Sequence, residues 1–135
     1  MDRLFLDANV LFTAAHSPDG KAALLFDALE LKRWQLVASA FAIAEARRNV
    51  AAKYPARSAR LESLIAQLTE VGQPTAVGIG IRLPEKDQPI YLAALACRAT
   101  HLLTGDLRHF GPHMNQPQAT GGLIIQTVGE YLAAG

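Results

Sequence analysis

Short apolar runs alternate with longer stretches of helical periodicity along most of this chain. Arg3–Leu6, Gln35–Ala38, His101–Thr104 and Leu123–Gln126 are the short runs. Between them Asn9–Ala15, Lys21–Lys32, Ala40–Ala52, Pro55 to about Leu68, and Lys86–Thr100 read as helices, with Val128–Ala133 as a short closing helix. Ser39 stands where it can cap the helix that starts at Ala40. Ile90, Ala94, Leu95 and Arg98 share one stripe of the 86–100 segment. Pro74–Val77 reads as a further strand, and Gly78–Pro84, by its glycines and prolines, as a loop. Alternation of this kind predicts βαβ units, hence an α/β fold with a parallel sheet covered by helices on both faces. Such sheets bind ligands at the carboxyl ends of their strands, where strand order reverses.

The length of 135 residues fits one domain spanning 1–135, and 50% hydrophobic with 19% charged residues excludes a disordered chain. The single Cys97 rules out an internal disulfide and a multi-cysteine zinc site. No apolar run approaches the roughly 18 residues of a membrane span, and the N-terminus enters a strand without a leader pattern. The expectation is a cytoplasmic protein without membrane association. A net charge of +1 carries no nucleic-acid footprint, so any polyanion site has to come from local clustering.

Four acids stand out against this frame. Asp7 lies at the carboxyl end of the first strand, where it either caps the next helix or faces a ligand. Asp106 follows the strand His101–Thr104, where Gly105-Asp106 is also turn chemistry. Asp87 stands at a helix start, suited to the helix dipole, and at the head of the apolar stripe through Ile90, Tyr91, Ala94 and Leu95. Glu45 interrupts the apolar stretch Ala40–Ala46; it is either solvated and paired with Arg48 or buried and in need of a partner. Clustered carboxylates repel unless a cation sits among them. Oxygen ligands without cysteine suit magnesium or manganese. His101, His109 and His113 have no helical His-x-x-x-His spacing that would point to zinc.

The segments LFLDANVLF, FAIAEARRNV, PEKDQPIYLAALACRATHLLTGDLRHFG and GGLIIQT resemble those of a PIN domain. More narrowly, the chain resembles the single-domain VapC-type ribonuclease toxins of bacterial toxin–antitoxin pairs, over nearly its whole length. The resemblance implies a three-layer fold with a five-stranded parallel sheet in the order 3-2-1-4-5. It implies Asp7, Glu45, Asp87 and Asp106 as the catalytic and metal-holding carboxylates, with Mg²⁺ (or Mn²⁺) as cofactor and Asn9 and Thr104 as polar support. It also implies an antitoxin protein as partner and a homodimer or higher homo-oligomer. Many relatives carry a further acid shortly after the one matching Asp106. Here that stretch reads Leu107-Arg108-His109-Phe110, and His109 is no hard oxygen ligand, which implies weaker hold on a second ion.

Metal-assisted phosphodiester hydrolysis needs a phosphate-bearing substrate, so cations should rim the acidic pocket. Arg47, Arg48, Lys53, Arg57 and Arg60 form a run with no acid between Glu45 and Glu62, either an RNA-backbone contact or a solvated helix face. Arg108 and His109 are further RNA-contact candidates. The apolar segment Ala22–Leu31 reads either as a partner groove or as core. The reading is therefore a metal-dependent endoribonuclease, with a non-catalytic RNA- or protein-binding module of the same fold as the alternative. A phosphatase or phospho-receiver fits worse: the first wants a second Asp where Asn9 stands, and the second wants paired acids and a late lysine.

Overall fold

A computed structural model describes residues 1–31, 33–74 and 80–134. Its elements follow in the order β1 (Asp2–Leu6), α1 (Ala8–His16), α2 (Lys21–Asp27), β2 (Trp34–Ser39), α3 (Ala40–Lys53), α4 (Ser58–Ile65) and β3 (Thr69–Val71). The second half of the chain adds α5 (Gln88–Ala96), β4 (His101–Leu103), α6 (Leu107–Phe110), β5 (Ile124–Gln126) and α7 (Val128–Ala134). Short 3₁₀ turns at Ala28–Leu31, Pro55–Arg57, Glu85–Asp87 and Gly111–His113 join them.

The five strands form one parallel sheet in the order β3-β2-β1-β4-β5, as the resemblance implied. Leu4, Phe5 and Leu6 of the central strand β1 are wholly buried, as a strand covered on both faces requires. The strand period of two divides them. Leu4 and Leu6 join a core with α1, α2, α3 and α4, while Phe5 joins one with Ile90, Tyr91, Phe110 and Ile125. Helix α3 packs through Ala42, Ile43, Ala46 and Val50, a three-to-four-residue stripe of mostly small side chains. Its N-terminus is capped by Ser39, whose Oγ accepts the Ala42 N–H at 3.1 Å, as the sequence suggested.

The structure departs from the sequence reading in several places. The third strand is Thr69–Val71, pairing with Val37–Ser39. Of the strand expected at Pro74–Val77, residues 75–77 lie outside the described residues, and Pro74 has no regular structure. Residues 78 and 79 of the expected loop also lie outside them. The helix expected to reach Leu68 ends at Ile65. The helix expected over Lys86–Thr100 starts as α5 at Gln88, after a 3₁₀ turn, and stops at Ala96. Arg98 adopts a left-handed φ of 58° and leaves the stripe assigned to it. All of Ile90–Ala94 is buried, so α5 is a helix enclosed on most sides rather than amphipathic. The segment Lys21–Lys32 is α2 followed by a 3₁₀ turn, with Lys32 outside the described residues. Ala22, Ala23, Leu25 and Phe26 face the core, whereas Leu24 and Leu31 are exposed. No helix among the described residues is long and apolar enough to cross a membrane.

Candidate active site

The register of β1 against β4 pairs Leu6 with Leu103, so the next residues, Asp7 and Thr104, leave the sheet side by side. The Asp7 N–H donates to the Leu103 carbonyl at 3.0 Å, which carries the pairing up to the acid itself. Both bland and functional roles fall on Asp7. Its Oδ1 accepts the Ala8 N–H at 2.7 Å and caps α1, while Oδ2 accepts the Thr104 hydroxyl at 2.8 Å and the Asn9 amide at 3.2 Å. Only 5% of Asp7 is exposed. Burial pushes its carboxyl up to about 6 against the donors that favour the ion, and the Glu45 and Asp87 carboxylates push the same way.

Thr104 is a hub. Its hydroxyl, besides donating to Asp7, accepts the Asp106 N–H at 3.0 Å and the Asn9 amide at 3.3 Å. Asn9 also accepts the Gly105 N–H at 2.7 Å. The loop carrying Asp106 is thereby tied to the helix that starts at Asp7. Asp106 caps α6 in turn, Oδ1 accepting the His109 N–H at 3.2 Å.

Asp87 ends the 3₁₀ turn that leads into α5 and is buried. Burial pushes its carboxyl up, His109 pulls it down, and Asp106 pushes it up again. His109 Nδ1 lies 2.8 Å from Asp87 Oδ2 and 3.0 Å from Asp106 Oδ2. Among the described residues, Asp87, Asp106 and His109 are the set of three whose possible ligand atoms all lie within 4.8 Å of one another. Glu45 stands on α3, half-buried between buried Ile43 and Ala46. It and Asp7 lie outside that tight trio; Glu45 and Asp87 both act on Asp7 through their charge. Two carboxylates and an imidazole whose donor atoms lie this close together form a donor set that fits a divalent cation. The buried Asp87 Oδ2 meets His109 Nδ1, and a cation held by the trio would take up both atoms.

An open cleft of ≈ 700 Å³ adjoins the acids, lined by Asn9, Thr13, Lys21, Thr104, Asp106 and Gly129 among others. Lys21 was not a candidate in the sequence. Its ammonium enters the cleft beside Gly129, where a Cβ would come within 3.5 Å of it. A second cleft of ≈ 440 Å³ opens at the amino ends of the strands, lined by Trp34, His101 and Tyr131. There the Tyr131 hydroxyl donates to Asp2 at 2.7 Å, and no candidate acid is present.

The basic residues are unequal. Arg47 is spent in a two-pronged contact with Glu62, at 2.9 and 2.8 Å. Arg60 donates to the Ala14 carbonyl near the end of α1, and Lys53 sits over the Phe12 ring at 5.6 Å. Arg48, Arg57 and Arg108 are exposed and form no ion pair among the described residues. His109 turns inward between two acids instead of outward toward a nucleic acid. The signal for that placement is its three-residue distance from Asp106, which puts both on one face once a helix starts at Asp106.

A parallel sheet in the order 3-2-1-4-5 whose central strands end in carboxylates, flanked by helices on both faces, defines a three-layer α/β domain with an acidic carboxyl-end site. Residues 3–108 match the PIN domain family, and the chain belongs to that family. No curated protein matches it by sequence. Among solved structures, a chain of VapBC2 from Rickettsia felis, in complex with a DNA fragment from its promoter, superposes with a TM-score of 0.65 at 16% identity. That match covers 93% of this chain and 98% of the other. A chain of VapBC-1 from nontypeable Haemophilus influenzae gives 0.60 at 18% identity, covering 94% and 98%. A chain of FitAB, solved bound to an IR36 DNA fragment, gives 0.60 at 20%, covering 93% and 94%. At such identities the likeness is one of fold.

Proposed function

We propose that the protein is a divalent-metal-dependent endoribonuclease and the toxin of a toxin–antitoxin pair. The observation that carries this reading is the convergence of Asp7, Asp87 and Asp106 at the carboxyl ends of β1 and β4, with Glu45 close enough to raise the Asp7 carboxyl. Burial first, and then neighbouring carboxylates, disfavour the charged forms of Asp7 and Asp87, and a bound cation would relieve both effects. Membership of the PIN family, the resemblance to VapC-type toxins and the fold shared with chains of VapBC and FitAB complexes support the same reading. An antitoxin protein is the corresponding partner and a homo-oligomer the corresponding assembly.

Asp7, Glu45, Asp87 and Asp106 hold Mg²⁺ or Mn²⁺ in this reading. When bound, the dication supplies a water acidic enough to ionise near neutral pH and offsets charge on the phosphoryl oxygens. Thr104 and Asn9 keep Asp7 and the Asp106 loop in place. Lys21 takes substrate phosphate in the adjoining cleft.

Incubation of mixed single-stranded RNA with the purified protein tests this reading. Cleavage is expected with Mg²⁺ or Mn²⁺, and none with EDTA or with Asp7→Asn or Asp87→Asn protein. RNA bound but uncut by wild-type protein in either metal would replace the nuclease with the non-catalytic binding module. Undiminished cutting by both variants would remove the assigned site.

A further inference from the structure

Four residues, Leu107–Phe110, make the shortest α-helix among the described residues, and they fix one imidazole from both ends. The helix is tied at its start by the Asp106 carboxylate, whose Oδ1 accepts the His109 N–H. It is tied at its end by Phe110, fully buried in the core beneath α5. Between these anchors the His109 ring points at the second oxygen of Asp106 and at Asp87.

The contacts are close, and one nitrogen serves both acids. Nδ1 of His109 faces Oδ2 of Asp87 at 2.8 Å and Oδ2 of Asp106 at 3.0 Å. The imidazole thus draws the two carboxylates onto one point, and a dication bound there would take the same three donor atoms. Spacings of 2.8 and 3.0 Å also match neighbouring corners of an octahedron with bonds of about 2.1 Å, which lie about 3 Å apart.

We propose that His109 is a metal ligand, its Nδ1 joining the Asp87 and Asp106 carboxylates on one dication to make a mixed nitrogen–oxygen site that favours Mn²⁺ over Mg²⁺. The inference rests on the metal-dependent reading above and specifies the donor set. Magnesium is a hard ion that takes oxygen and water, whereas imidazole suits first-row transition ions. A nitrogen in the stretch where many relatives carry a further acid therefore does not merely weaken the site. It changes which ion the site prefers.

The test uses the full chain loaded with Mn²⁺ and examined by pulsed electron paramagnetic resonance, a readout independent of cleavage. Nitrogen-14 couplings of a directly bound imidazole are expected in the wild type and absent in His109→Asn. His16 ends α1, His101 begins β4 at the opposite end of the sheet, and His113 Nε2 contacts the Arg82 carbonyl, so loss in this one variant assigns the donor. Calorimetric titration of both proteins should show the ratio of Mn²⁺ to Mg²⁺ affinity falling about tenfold in His109→Asn, the lower end of the range for a lost metal partner. Bound Mn²⁺ without nitrogen coupling in the wild type would overturn the inference and leave the carboxylate nuclease standing. No Mn²⁺ binding at millimolar concentration would overturn both. If His109→Asn does not fold, the wild-type spectrum alone decides.

Discussion

Burial and two neighbouring carboxylates hold the Asp7 carboxyl at about 6, against an ordinary 3.8, and the difference has a definite sign. Between those values the folded protein binds a proton that the unfolded chain has released. Stability therefore falls as pH rises through that window and stays low above it. The cost at neutral pH is on the order of 3 kcal/mol, a large share of what a domain of this size has to spare. Asp7→Asn should accordingly stabilise the metal-free protein at pH 7 by about 1–2 kcal/mol. Asparagine still caps α1, but it presents an amide where Asp7 accepts from Thr104 and Asn9, which returns part of the gain. Urea denaturation in EDTA at pH 7 and pH 4 checks this, with the gain expected to vanish at the lower pH. A variant no more stable than wild type at pH 7 would mean that Asp7 is not held at a cost. Thr104→Val acts in the opposite direction. It keeps the shape of a fully buried side chain but leaves the Asp106 N–H unpaired and Asp7 without its hydroxyl donor. A loss of about 1–3 kcal/mol should accompany reduced RNA cleavage. Unchanged stability would remove Thr104 from its place at the centre of the site.

Helix and strand boundaries show which features of the fold the sequence carries openly. Strands β1, β2 and β4 were legible because enclosure on both faces forces an apolar run, as in Leu4–Leu6 and Leu102–Leu103. Strand β3 was not, because Thr69 and Glu70 are exposed on an edge strand and an edge can be polar. Helix α6 has no periodicity to read in four residues; it exists through the Asp106 cap and the Phe110 anchor. That is why Asp7 and Asp106 were visible in the sequence, as acids ending apolar strands, while the inward turn of His109 was not. The end of α5 is a related case. Arg98 takes the left-handed conformation that closes the helix, its N–H donating to the Leu95 carbonyl at 3.1 Å and the Ala99 N–H to Ala94 at 3.1 Å. Glycine is the usual residue there, since a Cβ costs roughly 1–2 kcal/mol in that region. The Arg98 side chain is exposed and forms no ion pair among the described residues. Arg98→Gly should therefore raise stability by about 1 kcal/mol with cleavage unchanged, measured by thermal and urea denaturation. A destabilised variant would show that the arginine side chain contributes more than its backbone costs.

The reversal of strand order around β1 and β4 puts every candidate acid at one end of the parallel sheet, and it also decides which cations can serve that end. Helix α3 starts at the site and carries Arg47, Arg48 and Lys53 progressively away from it at 1.5 Å per residue, while Arg47 is already satisfied by Glu62. Helix α2 starts beside the site, and packing against α7 leaves the Lys21 ammonium next to Gly129 in the cleft shared with Asp106. The basic run 47–60 was conspicuous in the sequence because its members lie close together in the chain with no acid among them. Lys21 was invisible because two helices far apart in the chain form its cleft. The two faces make different predictions for RNA binding, measured by fluorescence anisotropy in the uncleaving Asp87→Asn background across a salt series. Lys21→Ala should weaken binding several-fold and reduce the magnitude of the salt slope by about 0.7, the loss of one phosphate contact on a single strand. Arg47→Ala should change affinity by less than about twofold, since it breaks an exposed ion pair of small worth and no substrate contact. The reverse ranking, with Arg47→Ala lowering the slope and Lys21→Ala leaving it alone, would move the RNA path from the cleft between α1, α2 and α7 onto the outer face of α3 and α4.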